Sequence, residues 1–276
     1  MNRTALLATL SVCALSGCRA EAPAPPAPAA DQTTPAPQSD ADRFAAPIER
    51  AHGREAWRAH PALASHLEVD FGGTTVLAGE MLFTTSMSRS RIDTDRGPSV
   101  IWDGSTAWVT PGDAELPMAR FHVLTWPYFM LAPLKLRDPG THLELLGEAQ
   151  VVGRSFETAR LTFGSDVGDT PDDWYVLYVD PETSRLHGMA YIVTFGTTAE
   201  KAGEEPHAIV YEELTELEGA QVPTRMRFYM WSEAEGIHGD PIGELRIGDP
   251  RFVTPGPTAF DVPEGAREAV LPTAEG

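Results

Sequence analysis

From Ser65 to Phe252 the chain repeatedly places apolar side chains at every second position and then interrupts the run with turn residues. "SHLEVDF" sets Leu67, Val69 and Phe71 against polar neighbours. "GEMLFTTSM" puts Met81, Phe83, Thr85 and Met87 on one face, and "RSRIDTD" sets Ile92 opposite Arg89, Arg91, Asp93 and Asp95. A period of two belongs to a strand, whose successive side chains point to opposite faces. The pattern continues through "SVIW", "TAWVT", "HLELLGEAQVV", "SFETARLTF", "WYVLYVD", "LHGMAYIVTF", "HAIVYEEL", "PTRMRFYMW" and "IGELRIGDPRF". Turn signals divide these runs at Asp103-Gly104, Gly153-Arg154, Pro181-Glu182-Thr183, Gly219, Gly239-Asp240 and Pro250. About ten strands in succession, with a turn roughly every 8–15 residues and no βαβ alternation, predict a mostly antiparallel sheet or barrel.

Two segments depart from that rhythm. "RFAAPIERAHGREAWRAH" is expected to be helical, capped by Asp40 or Asp42, limited by Pro47, broken at Gly53 and finished by Pro61. "PMARFHVLTWPYFMLAPLKLRDPG", residues 117–140, is apolar on every side and interrupted by Pro127 and Pro133. It is too broken for a membrane span, and an element apolar all round must be buried. In a β domain it belongs inside a curved sheet or across its mouth, as a core plug or as a lid over a ligand cavity.

The first residues read as an address. Arg3 precedes an apolar stretch, Ala5 to Ser16, that is too short to cross a bilayer, and the stretch runs into Leu15-Ser16-Gly17-Cys18. This resembles a bacterial lipobox, which makes residues 1–17 a signal peptide and Cys18 the acylated N-terminus. The alternative is an ordinary secretory signal, with Cys18 incidental and cleavage after Ala20. The chain has two cysteines, Cys13 and Cys18, so no intramolecular disulfide staples anything downstream. Residues 18–39 are rich in Ala and Pro and read as a tether, reaching roughly 60 Å at about 3.1 Å per residue. Residues 40–276 are expected to form one domain. The formal net charge of −19 argues against nucleic acid and against a polybasic hold on anionic lipid.

"AHGREAWRAH" before a first strand, "WDGSTAW" as a hairpin, an internal apolar helix, "YVDPETSRL" and "EGAQVPTRMRFYMW" together resemble the LolA/LolB-like periplasmic lipoprotein-sorting superfamily. The resemblance covers Ala46 to about Val253. It implies a mostly β (α+β) fold: a curved antiparallel half-barrel of about ten strands, with the N-terminal and internal helices covering its concave side. It also implies acyl chains, or another apolar ligand, in the hollow.

The chemical candidates are few. Asp169, Asp172, Asp173, Asp180 and Glu182 crowd around "WYVLYV", but their spacing fits no calcium loop, and Asp173 and Asp180 stand at opposite ends of a strand. They are expected to be structural, solvated turn carboxylates, with Asp180 capping a type I turn. His122, His142, His187, His207 and His238 form no metal-binding pair by spacing, and no catalytic residue, metal ligand or cofactor is assigned. The remaining signal is apolar. Val222, Thr224, Met226, Phe228 and Met230 share one strand face, and His187, Met189, Tyr191, Val193 and Phe195 share another. Methionine and phenylalanine make an adaptable wall suited to lipid chains, although the same pattern describes a packed core. The residues expected to touch a ligand are Met81, Phe83, Phe121, Trp126, Phe129, Met130, Tyr191, Met226, Phe228 and Met230. The functional expectation is a monomeric, lipid-anchored envelope protein, on the outer membrane facing the periplasm. It would bind a lipid or other apolar molecule without catalysis. The rivals are a hydrolase with a polar site at the sheet rim and a structural lipoprotein whose cavity is filled by its own helix.

Overall fold

The computed structural model describes residues 39–272. The signal peptide, Cys18 and the tether therefore lie outside the described residues. The chain opens with helices α1 (Asp40–Ala51) and α2 (Arg54–Ala59). The cap of α1 is Ser39, one residue before the predicted aspartates: its hydroxyl accepts from Asp42 N–H at 3.0 Å, and Asp42 reaches back to Ser39 N–H to complete a capping box. Pro47 sits inside α1 rather than in its first turn. Gly53 separates the helices at φ 75°, and a Cβ there would lie 2.3 Å from Gly219 O, so both the backbone sign and the close approach demand glycine.

Then follow β1 (Ala62–Phe71), β2 (Thr74–Thr84), β3 (Ser90–Thr94), β4 (Ser99–Trp102) and β5 (Ala107–Thr110). After them comes α3 (Ala119–Leu131), ending in a 3-10 turn at Ala132–Leu134. The second half holds β6 (Thr141–Val151), β7 (Arg154–Phe163), β8 (Tyr175–Val179), β9 (Leu186–Tyr191), the short α4 (Ala199–Ala202), β10 (His207–Leu217), β11 (Ala220–Ser232), β12 (Gly236–Val253) and β13 (Arg267–Glu268). They make one sheet of thirteen strands rather than about ten, in the order β13-β5-β4-β3-β2-β1-β12-β11-β10-β9-β8-β7-β6. Every pairing is antiparallel, and β13 and β6 are open edges. No described helix is long and apolar enough to cross a membrane.

This order dictates where α3 must run. The chain leaves β5 near one edge and re-enters at β6 on the other, so the connection crosses the face of the sheet. Along it, Val123 O accepts a bond from Ser90 of β3, and Tyr128 meets Tyr175 of β8 at 5.6 Å between ring centres. Those strands are seven steps apart, about 34 Å on a flat sheet at about 4.8 Å per step. A helix only about 10–12 Å across can reach both only if the sheet curls around it. The fold is thus an open, curved antiparallel half-barrel with α3 on its concave side, as the resemblance implied.

Two predicted turns fall inside one strand. β12 runs through Gly239-Asp240 and Pro250 without ending. The register against β11 jumps between Phe228↔Gly243 and Met230↔His238, and against β1 between Ala64↔Arg251 and His66↔Gly248. Glycine and proline there make bulges, the positions where a long strand tolerates them. Between the bulges, Gly243 pairs with both Phe71 and Phe228, and its missing side chain lets those rings meet at 4.8 Å.

The main core lies between the concave face and α3. It takes in Leu63, Leu67, Val69, Met81, Phe83, Met226, Phe228 and Leu245 from the strands. Each such side chain, fully buried, contributes about 1.5–3 kcal/mol. A second, smaller cluster on the other face joins Phe156, Tyr178, Trp231 and Ile237, with Trp231 Nε1 donating to Tyr178 OH at 2.7 Å. His187 belongs to that side. A register shift between Tyr178 and Val179 turns it away from Met189 and Tyr191, and it stacks on Phe156 at 4.5 Å. The expected five-residue face therefore begins at Met189.

Candidate functional site: a cavity beside α3

Both prolines of the apolar block leave a carbonyl without its usual donor, because proline has no N–H for the residue four positions earlier. Pro127 orphans Val123 O, and the buried Ser90 hydroxyl of β3 donates to it at 2.6 Å. Pro133 orphans Phe129 O, and the Tyr211 hydroxyl of β10 donates to it at 2.6 Å. The helix is thereby fastened to two strands on opposite sides of the hollow, and these bonds satisfy groups whose unpaired burial would cost about 1–3 kcal/mol each. Beyond α3, Arg137 binds the buried Glu49 and, at 3.1 Å, Asp42, which clamps the chain against α1.

One side of α3 is packed. Val123, Trp126 and Met130 are buried in the main core, and Trp126 meets Phe228 at 6.2 Å between ring centres. His122 lies in the same layer: its Nδ1 accepts from Trp126 Nε1 at 3.1 Å, and burial lowers its pKa to about 4. The other side, the stripe Phe121, Leu124, Thr125 and Tyr128, faces a cavity of about 360 Å³. That volume is at the lower end of the range for small-molecule sites, about 300–1,000 Å³. Phe163, Tyr175, Tyr191, Val193 and Phe195 form the opposite wall, and residues 167–170 with Lys135, Asp138 and Pro139 form the rim.

The rim is charged, but its charges are paired. Lys135 Nζ bonds to Asp138 at 2.5 Å, and Arg120 holds Asp169 through two bonds of 2.5 and 2.8 Å. Asp173 is buried rather than solvated, which corrects the expectation for this stretch. Its carboxylate accepts Thr194 N–H and Oγ1–H, both at 2.7 Å, and Thr170 Oγ1–H at 2.8 Å. Burial raises its pKa against the pull of those bonds. Asp180 behaves as expected, accepting the N–H groups of Glu182 and Thr183 at 2.9 and 3.0 Å. Asp169 is likewise no solvated turn carboxylate. Among the described residues no group of three or more His, Cys, Asp or Glu side chains is placed to hold a metal ion.

Of the residues expected to touch a ligand, Phe121, Phe129 and Tyr191 line the cavity. Met81, Phe83, Trp126, Met130, Met226 and Phe228 are at most 2% exposed and belong to the packed core, because α3 occupies the hollow they were expected to line. Met230 is half-buried outside both apolar clusters, just past the bulge where β11 loses register with β12. Met87, Tyr128, Tyr175, Phe163 and Asp173 line the cavity without having been singled out as ligand contacts. Tyr175 carries a usable signal: in "WYVLYVD" it alternates with Trp174 and Val176 onto the inner face.

No protein-family model and no curated protein sequence matches the chain. Among solved structures, a LolA superfamily protein from Nitrosomonas europaea superposes with a TM-score of 0.54 at 11% identity, covering 82% of this chain and 99% of that one. A domain assigned to outer-membrane lipoprotein sorting, from Vibrio parahaemolyticus, superposes with a TM-score of 0.51 at 9% identity, covering 80% and 97%. At such identities the likeness concerns the fold alone. The chain has a LolA-like fold.

Proposed function

We propose that this chain is a membrane-tethered envelope lipoprotein that holds a small apolar molecule or a single acyl chain beside α3, without catalysis. The observation that carries this reading is the aromatic-walled cavity of about 360 Å³ that remains after α3 has packed. Its binding energy would come from removing apolar surface from water, at about 25 cal/mol per Å². Non-catalytic binding is supported by the rim, where Lys135, Arg120, Asp138, Asp169 and Asp173 already have partners. The LolA-like fold supports a lipid over other apolar ligands. Residues 1–17 would be removed, Cys18 acylated, and residues 18–39 would tether the domain to the outer membrane on its periplasmic side.

Native mass spectrometry of the protein purified from cells, before and after organic extraction, tests the reading. Extra mass that is lost on extraction and identified as a lipid is the expected result. A clean mass, with no uptake of added fatty acid or neutral dye, would remove the carrier reading. Metabolic labelling with palmitate tests the anchor: label present in the native chain and absent from Cys18→Ser is expected, and unlabelled native protein would replace the anchor with ordinary secretion.

A further inference from the structure

Five tyrosines of this protein, four buried and one (Tyr128) half-buried, fall into two groups. Tyr211 and Tyr178 have partnered hydroxyls, one donating to Phe129 O and the other accepting from Trp231. Tyr128, Tyr175 and Tyr191 do not. Tyr175 and Tyr191 face each other in register on β8 and β9, with ring centres 6.1 Å apart, and Tyr128 of α3 stands 5.6 Å from Tyr175. All three line the cavity. Among the described residues their hydroxyls have no hydrogen-bond partner, yet none is sealed in, since Ser65 Oγ is the one enclosed side-chain N or O atom without a partner. A buried phenol ordinarily finds a partner. Three that open together on one aromatic cavity are donors waiting for a ligand.

We propose that these three phenols form the polar end of the ligand site, and that the ligand presents to them a neutral hydrogen-bond acceptor such as an ester, amide or ketone carbonyl. This rests on the ligand-binding reading above and narrows it. Neutrality follows from what surrounds the hydroxyls. The cations at the rim are already paired, Lys135 with Asp138 and Arg120 with Asp169, while Asp173, held by threonines alone, adds to burial in opposing the ionisation of Tyr128 and Tyr175. Burial and that field keep the phenols protonated, as donors. The same field and the same low dielectric penalise a carboxylate or phosphate placed among them. The cavity therefore distinguishes an esterified chain from a free fatty acid.

The experiment is displacement of N-phenyl-1-naphthylamine from the full chain at pH 7.5 by three probes of matched length: methyl decanoate, decanoate and undecane. Methyl decanoate is expected to compete at least about tenfold better than decanoate, with each hydroxyl worth about threefold to tenfold. In the Tyr175→Phe/Tyr191→Phe variant, the ratio of methyl decanoate to undecane affinity is expected to fall about tenfold or more. Decanoate binding as well as the ester, or a ratio unmoved in the variant, overturns the proposal while leaving an apolar site intact. Failure of the dye and all three probes to bind the folded native chain overturns the ligand reading and this proposal with it. If the double variant does not fold, Tyr128→Phe, on a half-buried residue of α3, gives the same ratio test for one hydroxyl.

Discussion

The two sides of α3 meet the same sheet and end differently. Toward β1, β2, β11 and β12 the concave face is filled: Trp126 meets Phe228 at 6.2 Å between ring centres, and both share one buried core with Met130, Met226, Met81 and Phe83. Toward β7, β8 and β9 the helix stands off, and Tyr128, Tyr175, Tyr191 and Phe163 face open volume. A helix that is apolar all round can therefore serve as core on one side and cavity wall on the other. The contrast is sharpest between two phenylalanines. Phe228→Ala removes a ring that is 1% exposed and is expected to destabilise the fold by about 3–5 kcal/mol. Phe163→Ala, at a half-buried ring beside existing space, should cost less than half of that. Urea midpoints of the two variants test the difference, and equal losses would mean that the two sides are equally packed.

The next effect is a pH dependence that belongs to the packed regions. His52 Nε2 accepts Leu186 N–H at 3.0 Å, and burial lowers its pKa from 6.5 to about 4, as it does for His122. Both are held neutral in the folded protein and bind protons more readily when unfolded. Their contribution is thus fully present above pH 6.5 and is lost as pH falls toward 4, up to about 3 kcal/mol for each histidine. Asp173, with its pKa raised by burial, works in the opposite direction. Urea unfolding at pH 7, 6 and 5 should show falling stability. Burial lowers His187 and His207 in the same direction, so His122→Gln, which removes one of four such groups, should flatten the slope in part. A slope unchanged by His122→Gln would mean that this histidine already titrates normally in the folded state.

What could be read from the sequence follows from how local each cause is. Alternation at Leu67, Val69, Met81, Phe83 and Ile92 needs only a half-buried strand, and each of those side chains is in the core. The strand face of Met226 and Phe228 was legible for the same reason. Its last member was not, because Gly239-Asp240 in the next strand reads as a turn, whereas it lies in the bulge that changes the register before Met230. The apolar block announced burial, but not which of its faces would be filled. Trp126 and Tyr128 are two residues apart and chemically alike as large aromatics. Only the crossing from β5 to β6 sends one into the core and the other to the cavity. The carboxylates of residues 169–182 read as one solvated group because turns and rims share a composition. Arg120 and Thr194, which make Asp169 and Asp173 structural, come from 49 and 21 residues away.

The fastening of α3 makes a smaller prediction that separates the helix from its loading. Ser90→Ala leaves Val123 O buried without a donor and should cost about 1–3 kcal/mol. In a Pro127→Ala background the restored N–H of residue 127 can bond to Val123 O, so the same Ser90→Ala change should cost markedly less. A double-mutant cycle on urea midpoints measures that coupling. Additive losses would mean that the serine acts through something other than the orphaned carbonyl.

The smallest expected change in stability is also the most direct probe of the open side. Leu124→Phe extends a side chain of α3 into the cavity, where there is space to receive it. Filling such space should raise stability by about 0.5 kcal/mol while reducing uptake of N-phenyl-1-naphthylamine. Val123→Phe makes the same kind of enlargement one residue earlier, on the packed side, where Val123 is fully buried. Overpacking there should cost about 1–3 kcal/mol. The sign of the two changes, read from thermal unfolding of both variants, decides whether α3 divides the hollow as described. If Leu124→Phe destabilises as much as Val123→Phe, the helix fills its own hollow on both sides and no ligand shares it.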